Sequence, residues 1–176
     1  MNRKIALVLL LCAAPLLALK PALAAPAEIA ATIKADKPYG EGHKSLLVIN
    51  VYNARFWTDA AGWSMDAAQA MEITYGMSFD TSDLTERTIK EMKNVDPALG
   101  DAEVARLTPQ LNKVYPAVKS GDRLTALYVP GKPIAFFHNG TPTGSVDNAF
   151  ARDFFGLWLL PNTSDTSLRA KLLRLK

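Results

Sequence analysis

Four polar side chains interrupt apolar stretches of the sequence and could together bind an apolar ligand with an anionic end. They are Lys44, Tyr52, Tyr75 and Arg87. A basic residue at the entrance of an apolar cleft can hold a carboxylate or phenolate, while the body of the ligand packs on Ile, Phe and Met side chains. Each residue also has a simpler interpretation, since strand ends and helix surfaces often carry solvated charges and buried tyrosines often have a wet hydroxyl. We predict these four as ligand-binding residues and assign no catalytic residue.

Other chemistry has little support in the sequence. His43 and His138 are the only histidines, and neither has a second ligand at a metal-binding spacing, so no metal site is predicted. We interpret His43 as a turn residue and His138 as a hydrogen-bonding residue at a strand end. Ser145 is not in a nucleophile elbow, glycine-rich phosphate motifs are absent, and the carboxylates are scattered. The sequence therefore predicts no cofactor.

The amino terminus has the pattern of a secretory signal peptide. Arg3 and Lys4 precede an apolar run, and residues 22–24 (Ala-Leu-Ala) offer a small-x-small cleavage site. We predict a signal peptide over residues 1–24 and one domain over residues 25–176, exported across the inner membrane and periplasmic. An uncleaved membrane anchor and a lipoprotein modified at Cys12 are the alternatives.

Cleavage would change the charge and the cysteine content. Three of the 20 basic residues and none of the 17 acidic residues lie in residues 1–24, so the mature chain would carry 17 of each. A neutral chain without basic clusters gives no reason to expect nucleic acid as a partner. The only cysteine, Cys12, would also leave, which excludes disulfides and a thiol nucleophile from the mature protein. We expect no stable membrane anchor after cleavage.

Alternating apolar residues and turn motifs predict six strands. Asn139-Gly140 between two alternating runs is a strong hairpin motif, because a two-residue turn of this kind needs positive φ at both positions. We expect the long run 44–58 to form a single strand with a bulge near Asn50–Asn53. The run 71–79 follows it as the third strand. The predicted strands are 28–34, 44–58, 71–79, 124–129, 134–138 and 141–146.

Helical periodicity occupies the middle and the end of the chain. Helices are predicted from near Ser82, after N-caps at Asp101 and at Asp147, and over 167–176. Pro109 leaves two alternatives for the second, one kinked helix or two shorter helices with Thr108 as a cap. In the third, Phe150, Phe154, Leu157 and Trp158 recur on one face, which we expect to lie on the sheet. The order of elements predicts an α+β domain, with a large, mostly antiparallel sheet and helices packed on one face.

Several local motifs resemble those of the bacterial chalcone isomerase-like proteins. The resemblance covers nearly all of residues 25–176 and is densest over 121–160. The motifs that carry it are Gly42-His43-Lys44, residues 51–57 (VYNARFW), Gly121-Asp122, residues 128–131 (YVPG), Asn139-Gly140, Gly144 and residues 150–159 (FARDFFGLWL). The resemblance implies the open-faced β-sandwich fold.

The resemblance also implies two kinds of function. Enzymes of this fold close a chalcone to a flavanone without a cofactor, whereas related non-catalytic members bind fatty acids or assist other enzymes. Lys44 stands where the enzymes have an arginine, Tyr52 near an expected threonine, Arg87 at a basic helix position and Leu84 where a tyrosine is expected. A lysine does not reproduce the bidentate fork of an arginine. We therefore predict binding of an apolar small molecule such as a fatty acid; the alternatives are an intramolecular lyase of chalcone isomerase type and a non-catalytic interaction module.

Overall fold

A six-stranded antiparallel sheet forms the centre of the computed structural model, which describes residues 25–176. Its strands follow one another in chain order, so that each one pairs with the next. The strands are β1 (Gly40–Leu46), β2 (Ile49–Thr58), β3 (Gln69–Tyr75), β4 (Arg123–Tyr128), β5 (Ile134–His138) and β6 (Thr141–Val146). The helices are α1 (Thr81–Val95), α2 (Asp101–Val114), α3 (Ala151–Leu159) and α4 (Thr166–Leu173), with a 3-10 turn at Asn148–Phe150 before α3. The predicted α+β architecture is confirmed.

The helices cover one face of the sheet, which we call the front face, and the amino-terminal segment covers the back face. Residues alternate between the two faces along each strand, as a pleated strand requires. On β3, Met71 and Ile73 belong to the large front-face core, whereas Ala70 packs with Trp57 and Leu127 in a smaller back-face core. Both faces of the sheet are therefore buried at its central strand β3.

The amino-terminal segment is not the strand predicted over 28–34. Its backbone makes helical turns, with the amide of Ile33 donating to the carbonyl of Ile29 at 2.8 Å. Ile29 and Ile33 are both buried in the back-face core, 0 % and 1 % exposed. The sequence was ambiguous because Ile29, Ala31 and Ile33 alternate, but Ile29 and Ile33 also stand four residues apart, which places them on one side of a helical turn.

The single long strand predicted over 44–58 is also wrong, because the chain reverses at Leu47-Val48. β1 and β2 form a hairpin in which Leu46 pairs with Ile49. The bulge lies where it was expected: Lys44 pairs with Tyr52 and Ser45 with Asn50, so Val51 is the extra residue. No turn residue marks the reversal in the sequence.

The hairpin predicted at Asn139-Gly140 is confirmed in detail. His138 pairs with Thr141 across Asn139 and Gly140, whose φ angles are 50° and 85°. Asp147 accepts a hydrogen bond from the amide of Ala149 and begins the helical region, as predicted. The aromatic side of α3 then packs on the front face of the sheet.

The remaining helices differ little from expectation. α1 begins at Thr81, and α2 is one helix that contains Pro109, which decides between the two alternatives left open. The residue that caps α2 is Gly100, and Asp101 is its first helical residue. α4 ends at Leu173, so that Leu175 lies beyond it and is 47 % exposed.

α4 approaches β1 closely because β1 begins with glycines. A Cβ atom at Gly40 would lie 2.1 Å from the carbonyl oxygen of Leu172, and one at Gly42 would lie 2.6 Å from the side chain of Leu168. Only glycine allows this approach. The contact fixes α4 beside the edge of the sheet, with its amino-terminal end near Lys44.

Candidate functional site

A cavity of about 760 Å³ lies between the front face of the sheet and the helices α1 and α3. Its volume is within the range of small-molecule sites. Apolar side chains from both layers form much of its wall, among them Met71, Ile73, Leu124, Phe136, Phe154 and Leu157. Water in a cavity with such a wall makes few hydrogen bonds, so its replacement by an apolar ligand would be favourable.

All four residues predicted for ligand binding, Lys44, Tyr52, Tyr75 and Arg87, line this cavity. Lys44 and Tyr52 are cross-strand partners on β1 and β2, and Tyr52 in turn pairs with Tyr75 on β3. Antiparallel partners point to the same side of a sheet, which is why residues far apart in sequence share one wall. Arg87 reaches the cavity from α1. Their role in binding remains a prediction.

The tyrosines of the cavity are uncharged hydrogen-bonding groups at neutral pH. Burial raises the pKa of Tyr52 to about 12, even though its hydroxyl accepts a hydrogen bond from Nε1 of Trp158 at 3.1 Å. Burial likewise raises the pKa of Tyr75 and of Tyr115, the latter 3.1 Å from the hydroxyl of Thr88. Such groups can donate to a ligand oxygen but are poor bases.

Lys44 is not an isolated charge, because its Nζ lies 2.7 Å from Oδ2 of Asp165. Burial of Asp165 opposes its ionisation, but hydrogen bonds from Lys44 and from the amide of Leu168 outweigh it, so the pKa of Asp165 is lowered. Lys44 and Asp165 are only 30 % and 23 % exposed at their side chains. An incoming carboxylate would therefore compete with Asp165 for the lysine.

Arg87 lies at the outer edge of the cavity. Its side chain is 66 % exposed and its Nε is 3.1 Å from Oε1 of Glu91, one helical turn away. Three cations and four carboxylates line the cavity, the cations being Lys44, Arg87 and Lys90 and the carboxylates Asp83, Glu86, Glu91 and Asp165. The lining therefore has no excess of positive charge, and recognition of an anionic group depends on local contacts.

The cavity lining also includes residues that were not predicted for ligand binding, among them Asp165, Trp158 and Tyr115. Asp165 is 121 residues from Lys44, and nothing in its local sequence beyond a capping position indicates the contact. Trp158 was predicted only as a sheet-facing residue, although its indole also hydrogen-bonds Tyr52. Tyr115 directly follows α2 and continues the buried stripe of Leu107 and Leu111. A search for tyrosine and tryptophan on predicted inward faces would have found the last two.

The histidines lie elsewhere. His43 is exposed on β1 and is not a turn residue, which corrects the sequence-based interpretation. His138 ends β5, with Nε2 3.4 Å from Oδ2 of Asp122 and 3.2 Å from Nδ2 of Asn139, as predicted for a strand end. Within residues 25–176, no group of three or more His, Cys, Asp or Glu side chains is placed to hold a metal ion.

The part of the chain that the structure describes contains four α-helices. None of its helices is both long enough and apolar enough to cross a bilayer. The predicted signal peptide lies outside the described residues.

Comparison with known proteins agrees with the architecture. Among solved structures, a fatty-acid binding protein from Arabidopsis thaliana is similar in fold, with a TM-score of 0.60 and 13 % sequence identity over 77 % of this chain and 85 % of the other. No curated protein matches the sequence. Residues 37–174 match the family described as chalcone isomerase-like, which includes every strand and helix of the fold. The chain therefore belongs to the chalcone isomerase-like family.

Proposed function

We propose that this protein binds an apolar small molecule of the fatty-acid type in the front-face cavity. The observation that carries the proposal is the cavity itself, about 760 Å³ of space between two layers of apolar side chains. A protein interior is normally packed to crystal density, so an apolar space of this size that opens to solvent leaves exposed a surface that an apolar ligand would bury favourably. The name of the Arabidopsis structure supports the same class of ligand.

The polar end of the ligand would bind near Lys44 and Tyr52. Tyr52 receives a hydrogen bond from Trp158 and keeps its own hydroxyl hydrogen for an acceptor such as a carboxylate oxygen. Lys44 adds a positive charge beside it. The apolar chain would then extend past Phe136 and Phe154.

We also propose that the protein is a bacterial member of the family that is exported to the periplasm. This rests on the basic start, the apolar run and the Ala-Leu-Ala site of residues 1–24. Sequencing of the exported protein should find Ala25 first. An intact Met1 on membrane-retained protein, or a lipid on Cys12, would contradict the proposal.

Native mass spectrometry and thermal unfolding test ligand binding. Saturated fatty acids should bind in a lipid-free buffer, and a ligand at 100 times its Kd should stabilise the protein by about 2.7 kcal/mol. Affinity should rise with chain length, by up to about 0.8 kcal/mol for each buried methylene. Binding that fails at every chain length would contradict the proposal, and turnover of a chalcone with no fatty-acid binding would favour the isomerase alternative.

A pair of matched substitutions locates the site. Ala126 lies on β4 and lines the cavity, so Ala126→Phe should fill part of it and weaken the longest ligands most. Ala135 lies on the neighbouring strand and packs against the back-face core, so Ala135→Phe should leave affinity unchanged. Equal effects of the two substitutions would place the ligand elsewhere.

A further inference from the structure

The tip of the β1–β2 hairpin presents four consecutive apolar residues to solvent. Leu46, Leu47, Val48 and Ile49 are 67 %, 92 %, 99 % and 54 % exposed. Single exposed apolar side chains are common on protein surfaces, but a contiguous group at one projecting point usually marks a contact with another apolar phase.

The turn at this tip is built from unfavourable residues. Leu47 has a φ of 55°, a conformation that favours glycine or asparagine and that costs a leucine free energy. The β5–β6 hairpin has a loop of the same length and uses Asn139-Gly140, the residues that such turns prefer. Leu47 and Val48 do not suit this turn, which indicates that their exposed apolar side chains have a role other than folding.

The tip adjoins the mouth of the front-face cavity. Leu46 is both exposed and part of the cavity lining, as is Met77, which is 37 % exposed. Ser45 and Val51, from the two strands of the hairpin, line the same cavity. Whatever covers the tip is therefore next to the entrance.

The charge and the shape of the tip indicate what kind of surface it contacts. Residues 42–54, the part of the hairpin next to the tip, contain His43 and Lys44 but no aspartate or glutamate, and Glu41 lies at the far end of β1, so no hairpin carboxylate near the tip opposes entry into a lipid headgroup layer. Four residues on a convex tip cannot supply the roughly 800 Å² that each partner buries in a typical specific protein interface. A bilayer surface needs no complementary shape and takes Leu, Ile and Val side chains into its headgroup–acyl boundary.

We propose that the Leu46–Ile49 tip docks reversibly into the surface of a phospholipid bilayer and places the cavity mouth at the lipid boundary. A ligand with an acyl chain could then pass between bilayer and cavity without crossing bulk water. The docking itself is independent of any ligand in the cavity.

The test measures sedimentation of the ligand-free protein, residues 25–176, with phosphatidylcholine vesicles. The double variant Leu47→Gly/Val48→Asn removes the two most exposed side chains and places glycine at the position of positive φ. We expect vesicle binding at least tenfold weaker than for the parent, with an unfolding midpoint equal to or higher than the parent's. Loss of binding together with higher stability is a result that a purely structural role for Leu47 and Val48 would not produce.

Leu175→Ser is the matched control, since Leu175 is an exposed leucine beyond α4 and not part of the tip. It should bind vesicles as the parent does. A parent protein that does not bind the vesicles, a double variant that binds them equally, or a dimer in sedimentation that the double variant abolishes would each overturn the proposal. Fatty-acid affinity in lipid-free buffer, measured on the same variants, tests the cavity separately.

Discussion

On the back face of the sheet the buried charges have specific partners, whereas the front face keeps an open space whose largely apolar wall also carries tyrosine hydroxyl groups. Glu72, 3 % exposed, accepts hydrogen bonds from Nε1 of Trp57 at 2.9 Å and from Arg55 at 3.4 Å. The carboxylate of Glu28 is held by Arg123 at 3.0 Å and by the hydroxyl of Thr125 at 2.9 Å. The front-face tyrosines have fewer fixed partners around a cavity of about 760 Å³. The same pleated strands therefore support a closed structural layer on one side and an open cavity on the other.

The largest expected effect separates packing from binding within α3. Phe155 is fully buried and does not line the cavity, so Phe155→Ala should cost about 3–5 kcal/mol of unfolding free energy and leave ligand affinity unchanged. Phe154 borders the cavity, so Phe154→Ala should cost toward the lower end of that range and also alter affinity. Denaturant unfolding and ligand titration of both variants give the comparison. Parent-like stability in both would mean that the aromatic face of α3 is not buried.

The back face is tested by Arg123→Met. This substitution leaves the Glu28 carboxylate, whose side chain is 3 % exposed, without its cation. We expect a loss of about 1.5–3 kcal/mol in unfolding free energy, the usual contribution of a hydrogen bond to a charged group, with unchanged ligand affinity. Arg152→Met is the control, because Arg152 is 62 % exposed and its ion pair should contribute little. A change in affinity for Arg123→Met would show that the two faces are coupled.

The front face is tested by Lys44→Met, which keeps the bulk of the side chain and removes its charge. Carboxylate ligands should bind about tenfold more weakly, at the lower end of what a charged hydrogen bond contributes, because Asp165 already shares the lysine. The corresponding alcohols should be nearly unaffected. Equal weakening of acid and alcohol would indicate disturbed packing instead of a lost charge.

The smallest expected effect is a gain in affinity for carboxylate ligands. Asp165→Asn removes the charge that competes with the ligand for Lys44, and asparagine caps a helix as well as aspartate, so the bond to the amide of Leu168 should survive. We expect acids to bind about fivefold more tightly, from the roughly 1 kcal/mol of a partly exposed ion pair. Isothermal titration calorimetry with a fatty acid and the corresponding alcohol measures the two affinities. Tighter binding of both ligands would indicate a change in the shape of the cavity.

The sequence predicted the parts of the fold that depend only on interactions between neighbouring residues. Asn139-Gly140 has few conformations other than the observed turn, and Asp147 needs only its own neighbours to cap a helix. Leu47-Val48 gave no such indication, so two strands were taken for one. The predicted number of strands was nevertheless six, because the amino-terminal helical turn had been counted as a strand.

The candidate site was predicted in part for a similar reason. Tyr52 and Tyr75 stand out as polar groups on apolar strands, and the pleat places them on one wall. Asp165 approaches Lys44 only because α4 packs on the glycines of β1, a contact between distant segments that no local pattern encodes. The ion pair could therefore be found only in three dimensions.

The hydrogen bond between Trp158 and Tyr52 gives the protein an intrinsic optical probe. Of its three tryptophans, Trp158 lines the cavity, whereas Trp57 is fully enclosed behind the sheet. A ligand that enters must change the surroundings of the Trp158 indole while the Trp57 emission stays constant. Fluorescence of a Trp63→Phe variant, in which Trp57 gives a constant background, or selective quenching by a brominated acyl chain, would thus follow occupancy in real time without any attached label.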